Sequence, residues 1–152
     1  MRMLIAAAVA ATCLATGAAS AAGDDVMTVE TDAAFADVSS GVENAIVNRG
    51  YTIDYHGFIG DMLKRTAGDV DAQKALYKDA EFFTFCSAVV SRQVMEAEIG
   101  DIAYCPYVVF VYEAEVKPGT VVVGFRSLPE GGARDAVNTL LTEIIGEAAD
   151  GL

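Results

Sequence analysis

The chain has 152 residues and a formal net charge of −12 at neutral pH, with 22 acidic side chains against 10 Lys and Arg. Lys64-Arg65 is its only adjacent basic pair. Because a phosphate backbone repels such a surface, we expect no nucleic-acid partner and little attraction to anionic membranes. The length is that of one compact domain with its own hydrophobic core.

The first 21 residues have the pattern of a signal peptide. Residues 1–3 (Met-Arg-Met) give a positive start, residues 4–15 are largely apolar, and residues 19–21 (Ala-Ser-Ala) form a cleavage site of small residues. The apolar run is too short to span a bilayer. We therefore expect residues 1–21 to be removed. Residues 22–152 are then a single exported domain of the periplasm or cell envelope, with no stable membrane anchor.

The first half of this domain alternates strand and helix patterns. After a strand at residues 26–31, Asp32 is a typical helix N-cap, an apolar stripe follows at three- and four-residue spacing, and Gly50 occupies the C′ position. Residues 51–56 alternate apolar and polar side chains, which predicts a half-buried strand. Residues 58–78 predict two short helices.

The second half adds three strands and two helices. Residues 81–85 predict an aromatic strand that ends at Cys86, and Ser87 is a suitable N-cap for a helix to about residue 97. The remaining predicted elements are a central strand at 106–113, a type II turn at 117–120, a return strand at 121–125 and an amphipathic helix at 136–148. Across this hairpin, Arg126 is a candidate partner for Glu113.

The order of elements predicts an α+β fold. We expect a two-layer sandwich in which a mixed five-stranded sheet carries its helices mainly on one face and ends in a late β-hairpin.

Two stretches resemble the centre of the domain of unknown function (DUF) 302 family. They are residues 83–88 (Phe-Thr-Phe-Cys-Ser-Ala) and residues 104–113 (Tyr-Cys-Pro-Tyr-Val-Val-Phe-Val-Tyr-Glu). In that family a strand ends in cysteine at a helix start, and a Pro/Cys pair opens an apolar strand. Here Ser-Ala follows Cys86 where many members have Asn-Pro, and Cys105-Pro106 reverses the usual order. The resemblance implies a compact α+β fold that tends to pair as a homodimer, and it implies little chemistry.

Cys86 and Cys105 are the two cysteines that remain once the leader, which contains Cys13, is removed. The start of a helix stabilises a thiolate, so Cys86 is a candidate reactive or ligating thiol; a buried, inert cysteine is the alternative. An even pair in an oxidising compartment also suggests a disulfide. If the intervening helix led to a parallel strand, however, about 17 Å would separate the two cysteines, against roughly 4.4–6.8 Å between bridged Cα atoms.

His56 is the single histidine. Strand alternation predicts that it shares a face with Asp54, opposite Ile53 and Tyr55. An Asp-x-His pair can bind a metal or transfer a proton, and Cys86 would complete a copper- or zinc-type ligand set. A solitary surface histidine is the alternative. The sequence leaves both the metal and any cofactor unknown.

Aromatic side chains are concentrated between residues 82 and 112. We expect most of them in the core and others, with Tyr104 and Tyr107 as candidates, to line a ligand pocket or a dimer face. No P-loop, dinucleotide-binding, zinc-protease or nucleophile-elbow motif occurs. The leading hypothesis is a non-enzymatic envelope protein that binds a small molecule or partner. The alternative hypothesis is a thiol redox or metal-handling protein that uses Cys86 with Cys105 or His56.

Overall fold

The computed structural model describes residues 25–151. The predicted signal peptide lies outside these residues. Of the helices in the described part, none is both long and apolar enough to cross a membrane.

Strands and helices alternate along the chain, which confirms the α+β class. The helices and strands are β1 (Val26–Thr31), α1 (Phe35–Asn48), β2 (Ile53–Gly57), α2 (Ile59–Thr66), β3 (Tyr77–Phe85), α3 (Ala88–Ala97), β4 (Tyr107–Ala114), β5 (Val121–Arg126) and α4 (Arg134–Asp150). Two short 3₁₀ helices, Ala67–Val70 and Ile99–Tyr104, follow α2 and α3.

The five strands form one sheet in the order β1-β5-β4-β3-β2, and every neighbouring pair is antiparallel. The predicted mixed sheet is therefore wrong. The reason is the 3₁₀ helix Ile99–Tyr104, which returns the chain after α3 to the end of the sheet that it had just left. β4 consequently starts where β3 ends, and Phe85 lies opposite Tyr107.

One face of the sheet packs against α1 and α4. Alternation along the strands directs every second side chain into this core, and each fully buried apolar side chain contributes roughly 1.5–3 kcal/mol. The largest fully buried side chains come from three strands and two helices: Phe83, Phe85, Val109, Val111, Val121, Val123 and Phe125 from the sheet, and Val38, Val42, Ile46, Leu141 and Ile144 from the helices.

Several element ends differ from the sequence prediction. α1 begins at Phe35 after Ala34, so Asp32 is not its N-cap, whereas Gly50 adopts the left-handed conformation (φ 79°) expected after a helix. In place of the second short helix predicted in residues 58–78, the structure has only the four-residue 3₁₀ helix Ala67–Val70. β3 starts at Tyr77 because its pairing with β4 extends as far as Ala114.

The predicted Arg126–Glu113 pair is also wrong. Glu113 is opposite Val121, next to the turn, and accepts a hydrogen bond from Lys78 Nζ at 2.7 Å and one from the Gly119 backbone N–H at 2.8 Å. Arg126 ends β5 at the opposite end of the hairpin. Arg126 can therefore interact with groups at that end of the sheet and not with Glu113.

Candidate functional site

The two cysteines meet at one end of the sheet. Cys86 immediately follows β3, Cys105 lies two residues before Tyr107, and the antiparallel Phe85–Tyr107 pair brings the two cysteine-bearing segments side by side. Both side chains are half-buried and are held as free thiols. The separation expected from a parallel pair does not arise, because β3 and β4 run in opposite directions.

A hydrogen-bonded chain connects Cys105 to the core. Its Sγ donates to Ser91 Oγ at 3.5 Å, and Ser91 Oγ lies 2.9 Å from Tyr107 Oη. Ser91 is one turn beyond Ser87, whose Oγ accepts the Val90 N–H at 3.3 Å and thereby confirms the predicted N-cap of α3. The sequence reasoning missed Ser91, because a serine inside a helix gives no signal of its buried partners.

The Cys86 thiol is not activated. Burial raises its pKa to about 11, and the contact with Cys105 and the negative charge of Asp54 act in the same direction, against an opposing bond from the Tyr107 backbone N–H. Burial likewise raises the pKa of Tyr107 to about 12. The N-terminal N–H of α3 is bound by Ser87 instead of Cys86. A protonated thiol at neutral pH argues against the hypothesis of a reactive thiolate.

A β-bulge changes the predicted surroundings of His56. The register shifts between Ile53 and Tyr55, so that Ile53 lies opposite Phe85 while Tyr55 lies opposite Thr84. The extra residue breaks the strict alternation. Ile53 and Tyr55 therefore do not share a face: Tyr55 lies on the face opposite His56 as predicted, whereas Ile53 lies on the same face as His56, contrary to the prediction.

His56 lies opposite Phe83 and stacks on it with a centroid separation of 4.1 Å. Its Nε2 is 2.9 Å from Glu81 Oε2, which also accepts a hydrogen bond from Ser39 of α1 at 2.6 Å. His56 thus joins the sheet edge to α1 through Glu81. Among residues 25–151, no three His, Cys, Asp or Glu side chains form a group that could hold a metal, so the predicted set of Asp54, His56 and Cys86 is not assembled there.

A cleft of about 330 Å³ is lined by both sequence neighbours of Cys105, Tyr104 and Pro106. Tyr107, Leu128 and Leu141 are its buried lining residues, and Arg126 is the charged residue in its lining. The Arg126 side chain is 79% exposed, and its Nε lies 3.6 Å from Asp25 Oδ2. The other lining residues are apolar or aromatic and include both predicted tyrosines: Val26, Ala103, Tyr104, Pro106, Tyr107, Val108, Phe110, Leu128 and Leu141.

An ion pair fixes one wall of this cleft. Asp101 belongs to the 3₁₀ helix that leads to Tyr104, and it is only 5% exposed. Arg134, the first residue of α4, donates two hydrogen bonds of 2.8 Å to its carboxylate. This fork-like pairing is the strongest geometry available to arginine and carboxylate, and it attaches the Tyr104 wall to α4.

A second groove, more open and about 700 Å³ in volume, runs along α4. Its lining is polar and includes Glu130, Asp135 and Glu143. These acidic side chains are exposed, and contact with water is enough to account for charged groups at these positions.

Fold and cleft together describe a small α+β domain with a mainly apolar cleft at the end of the sheet that carries the two cysteines. Neither a family model nor a curated protein matches the sequence. Among solved structures, the chain is similar to the crystal structure of the uncharacterized conserved protein DUF302 from Bacillus stearothermophilus, with a TM-score of 0.63 and 10% sequence identity. The similarity covers 84% of this chain and 98% of that chain. It confirms the resemblance to DUF302 at the level of the fold.

Proposed function

We propose that this chain is a non-enzymatic binding domain of the cell envelope that holds a small aromatic molecule with one acidic group. The cleft carries the proposal. Its volume of about 330 Å³ falls within the range of roughly 300–1,000 Å³ that is usual for small-molecule sites. Its walls combine apolar and aromatic surfaces with very few polar groups, which is the common composition of such sites.

Arg126 supports the acidic group. The chain as a whole is strongly acidic, so a cation in the lining of an apolar cleft is a local exception. Its neighbour Asp25 is 60% exposed and 3.6 Å away, and such a surface pair contributes about 0–1 kcal/mol. A ligand carboxylate or sulfonate can therefore replace Asp25 as the partner of Arg126 at little cost.

Two probes test this proposal by isothermal titration calorimetry: 1-naphthalenesulfonate and the uncharged 1-naphthalenemethanol. Arg126→Gln is compared with Arg92→Gln, since both arginine side chains are 79% exposed and each has one acidic partner. We expect the Arg126 variant to bind the sulfonate up to about fivefold more weakly, from the loss of an exposed ion pair of about 1 kcal/mol or less, with no change for the alcohol. The Arg92 variant should match the wild type.

The outcomes separate the two parts of the proposal. If neither probe binds the wild type, the cleft is not a binding site for small aromatic molecules. If both probes bind equally and Arg126→Gln has no effect, the cleft binds apolar molecules without recognising an acidic group.

We also propose that the domain forms a homodimer through the sheet face opposite α1 and α4, which is the open side of the proposed two-layer arrangement. Tyr55 is 61% exposed on this face. Its ring packs against Phe82, and Tyr77 packs against Tyr112, which gives an aromatic surface of the kind found at interfaces. Light scattering after size exclusion should give twice the chain mass for the wild type and for Val116→Lys, and a monomer for Tyr55→Lys. A monomeric wild type at high concentration would refute the homodimer.

Export is the third part of the proposal. It rests on the sequence of residues 1–21, which are expected to be absent from the folded protein in its native compartment. N-terminal sequencing of the protein from a periplasmic extract should start at Ala22 or Gly23. An intact Met1 would contradict export.

A further inference from the structure

Cys105 lies in the segment that forms one wall of the cleft proposed as the ligand site. Cys105 stands between Tyr104 and Pro106, and both of these neighbours line the cleft. We propose that Cys86 and Cys105 form a reversible intramolecular disulfide that fixes this wall of the cleft; its effect on ligand binding rests on the proposed function above.

The strand register supplies the geometry. Continuing the register one step beyond the Phe85–Tyr107 pair would place Cys86 opposite Pro106, with Cys105 offset from Cys86 by one residue. Opposed residues of antiparallel strands have Cα atoms about 4.5–5.5 Å apart, and an offset of about 3.3 Å along the strand raises this to about 6 Å, within the roughly 4.4–6.8 Å of bridged cysteines. The two cysteines therefore lie on adjoining segments at the same end of the sheet, and Cys105 is near enough to act on the Cys86 thiol. Because both are half-buried and not enclosed, a reductant can reach the bond again.

Oxidation proceeds by exchange with a disulfide donor, such as glutathione disulfide or a thiol oxidoreductase of the envelope. We assign the first attack to Cys105, because the raised pKa of Cys86 makes it the poorer nucleophile. The Cys105 thiolate breaks the donor's S–S bond, forms a mixed disulfide and releases one donor thiolate. Cys86 then attacks Cys105 Sγ and releases the second. Two protein thiols are oxidised, one donor disulfide is reduced to two thiols, and the two S–H protons pass to the donor sulfurs.

The Cys86–Cys105 disulfide would replace a hydrogen-bonded attachment of this cleft wall by a covalent one. In the reduced protein, Cys105 Sγ donates to Ser91, and Ser91 is bonded in turn to Tyr107. The disulfide removes the thiol hydrogen, and it ties the segment from Tyr104 to Tyr107 covalently to the end of β3. A wall held in this way loses less conformational freedom on binding, and such preorganisation increases affinity.

The first test does not depend on any ligand. The processed protein is equilibrated with glutathione disulfide and then treated with iodoacetamide under denaturing conditions, before and after reduction. We expect no alkylated cysteine before reduction and two after it, whereas Cys86→Ser and Cys105→Ser should not form the intramolecular bond. Reduction should lower the Tm of the wild type by about 10 °C and should not affect the double variant. Two alkylated cysteines in the oxidised wild type would overturn the proposal.

The second test measures 1-naphthalenesulfonate affinity for the oxidised and reduced wild type and for Cys86→Ser/Cys105→Ser under both conditions. We expect the oxidised wild type to bind several-fold more tightly than the reduced one, and the double variant to be insensitive to the reductant. Equal affinities in the two wild-type states would overturn the link between the disulfide and the cleft. If the probe binds neither state, the proposed ligand site fails, while alkylation still decides whether the disulfide forms.

Discussion

Burial of the reduced Cys86 thiol should lower its reactivity, and this effect can be measured directly. The structure raises its pKa from the ordinary value of 9.0 to about 11. At pH 8 an ordinary thiol is about 9% thiolate, whereas one with a pKa near 11 is about 0.1% thiolate. Because only the thiolate is nucleophilic, we expect Cys86 in the folded, reduced protein to react roughly 100-fold more slowly than in the unfolded chain.

The assay is alkylation of the reduced wild type with iodoacetamide between pH 7 and pH 11.5, with the Cys86 peptide quantified by mass spectrometry. The same chain in guanidinium chloride provides the unperturbed thiol. The folded rate should rise about tenfold per pH unit and level off only near pH 11. A midpoint at or below pH 9, or fast alkylation at mildly acidic pH, would refute the burial argument and restore the hypothesis of an activated thiolate.

The same shift has a consequence for stability. A raised pKa means that the folded state favours the protonated thiol. The contribution of Cys86 to stability is therefore complete below pH 9 and is lost as pH rises toward 11. For the reduced wild type, the urea midpoint should fall over this range more steeply than for Cys86→Ser.

Two further predictions concern packing and pH. A Cβ at position 124 would lie 2.5 Å from the Met27 carbonyl oxygen, so Gly124→Ala should destabilise the fold by about 1–3 kcal/mol in urea denaturation. The matched change is Gly146→Ala in α4, where a Cβ has open space around it. This change should stabilise the fold by roughly 0.5–1 kcal/mol. Equal effects of the two changes would contradict the close approach at Gly124. The hydrogen bond from Arg49 lowers the pKa of Glu147 below its ordinary 4.5, so the ionised carboxylate stabilises the fold above that pH and this contribution is lost as pH falls through the lower folded value. Glu147→Gln should therefore reduce the Tm at pH 7, and this deficit should shrink as the pH falls below 4.5. A deficit that does not change with pH would exclude this ion pair as the cause.

Periodicity was sufficient to predict most of the fold. The strand at residues 26–31, the N-cap at Ser87 and the apolar stripe of α4 follow directly from side-chain spacing. Strand direction does not, because a strand has the same periodicity whichever way it runs. The direction of β4 depends on the 3₁₀ helix Ile99–Tyr104, which is too short and too irregular to leave a periodic signal.

The site was harder to predict for related reasons. Cys86, Cys105, Tyr104 and Tyr107 were identified by residue type and position, yet a single β-bulge was enough to change the surroundings predicted for His56. The cleft joins residues from β1, β4, β5 and α4 that are far apart in sequence. Neither its existence nor the role of Arg126 in its lining follows from any local pattern.

The most direct test of the proposed ligand site is an NMR titration of the ¹⁵N-labelled processed protein with 1-naphthalenesulfonate. We predict that the amide shifts change around Tyr104, Val108, Phe110 and Arg126 and reach saturation with a single affinity. Changes confined to the acidic groove of α4, or no changes at millimolar probe, would contradict the account.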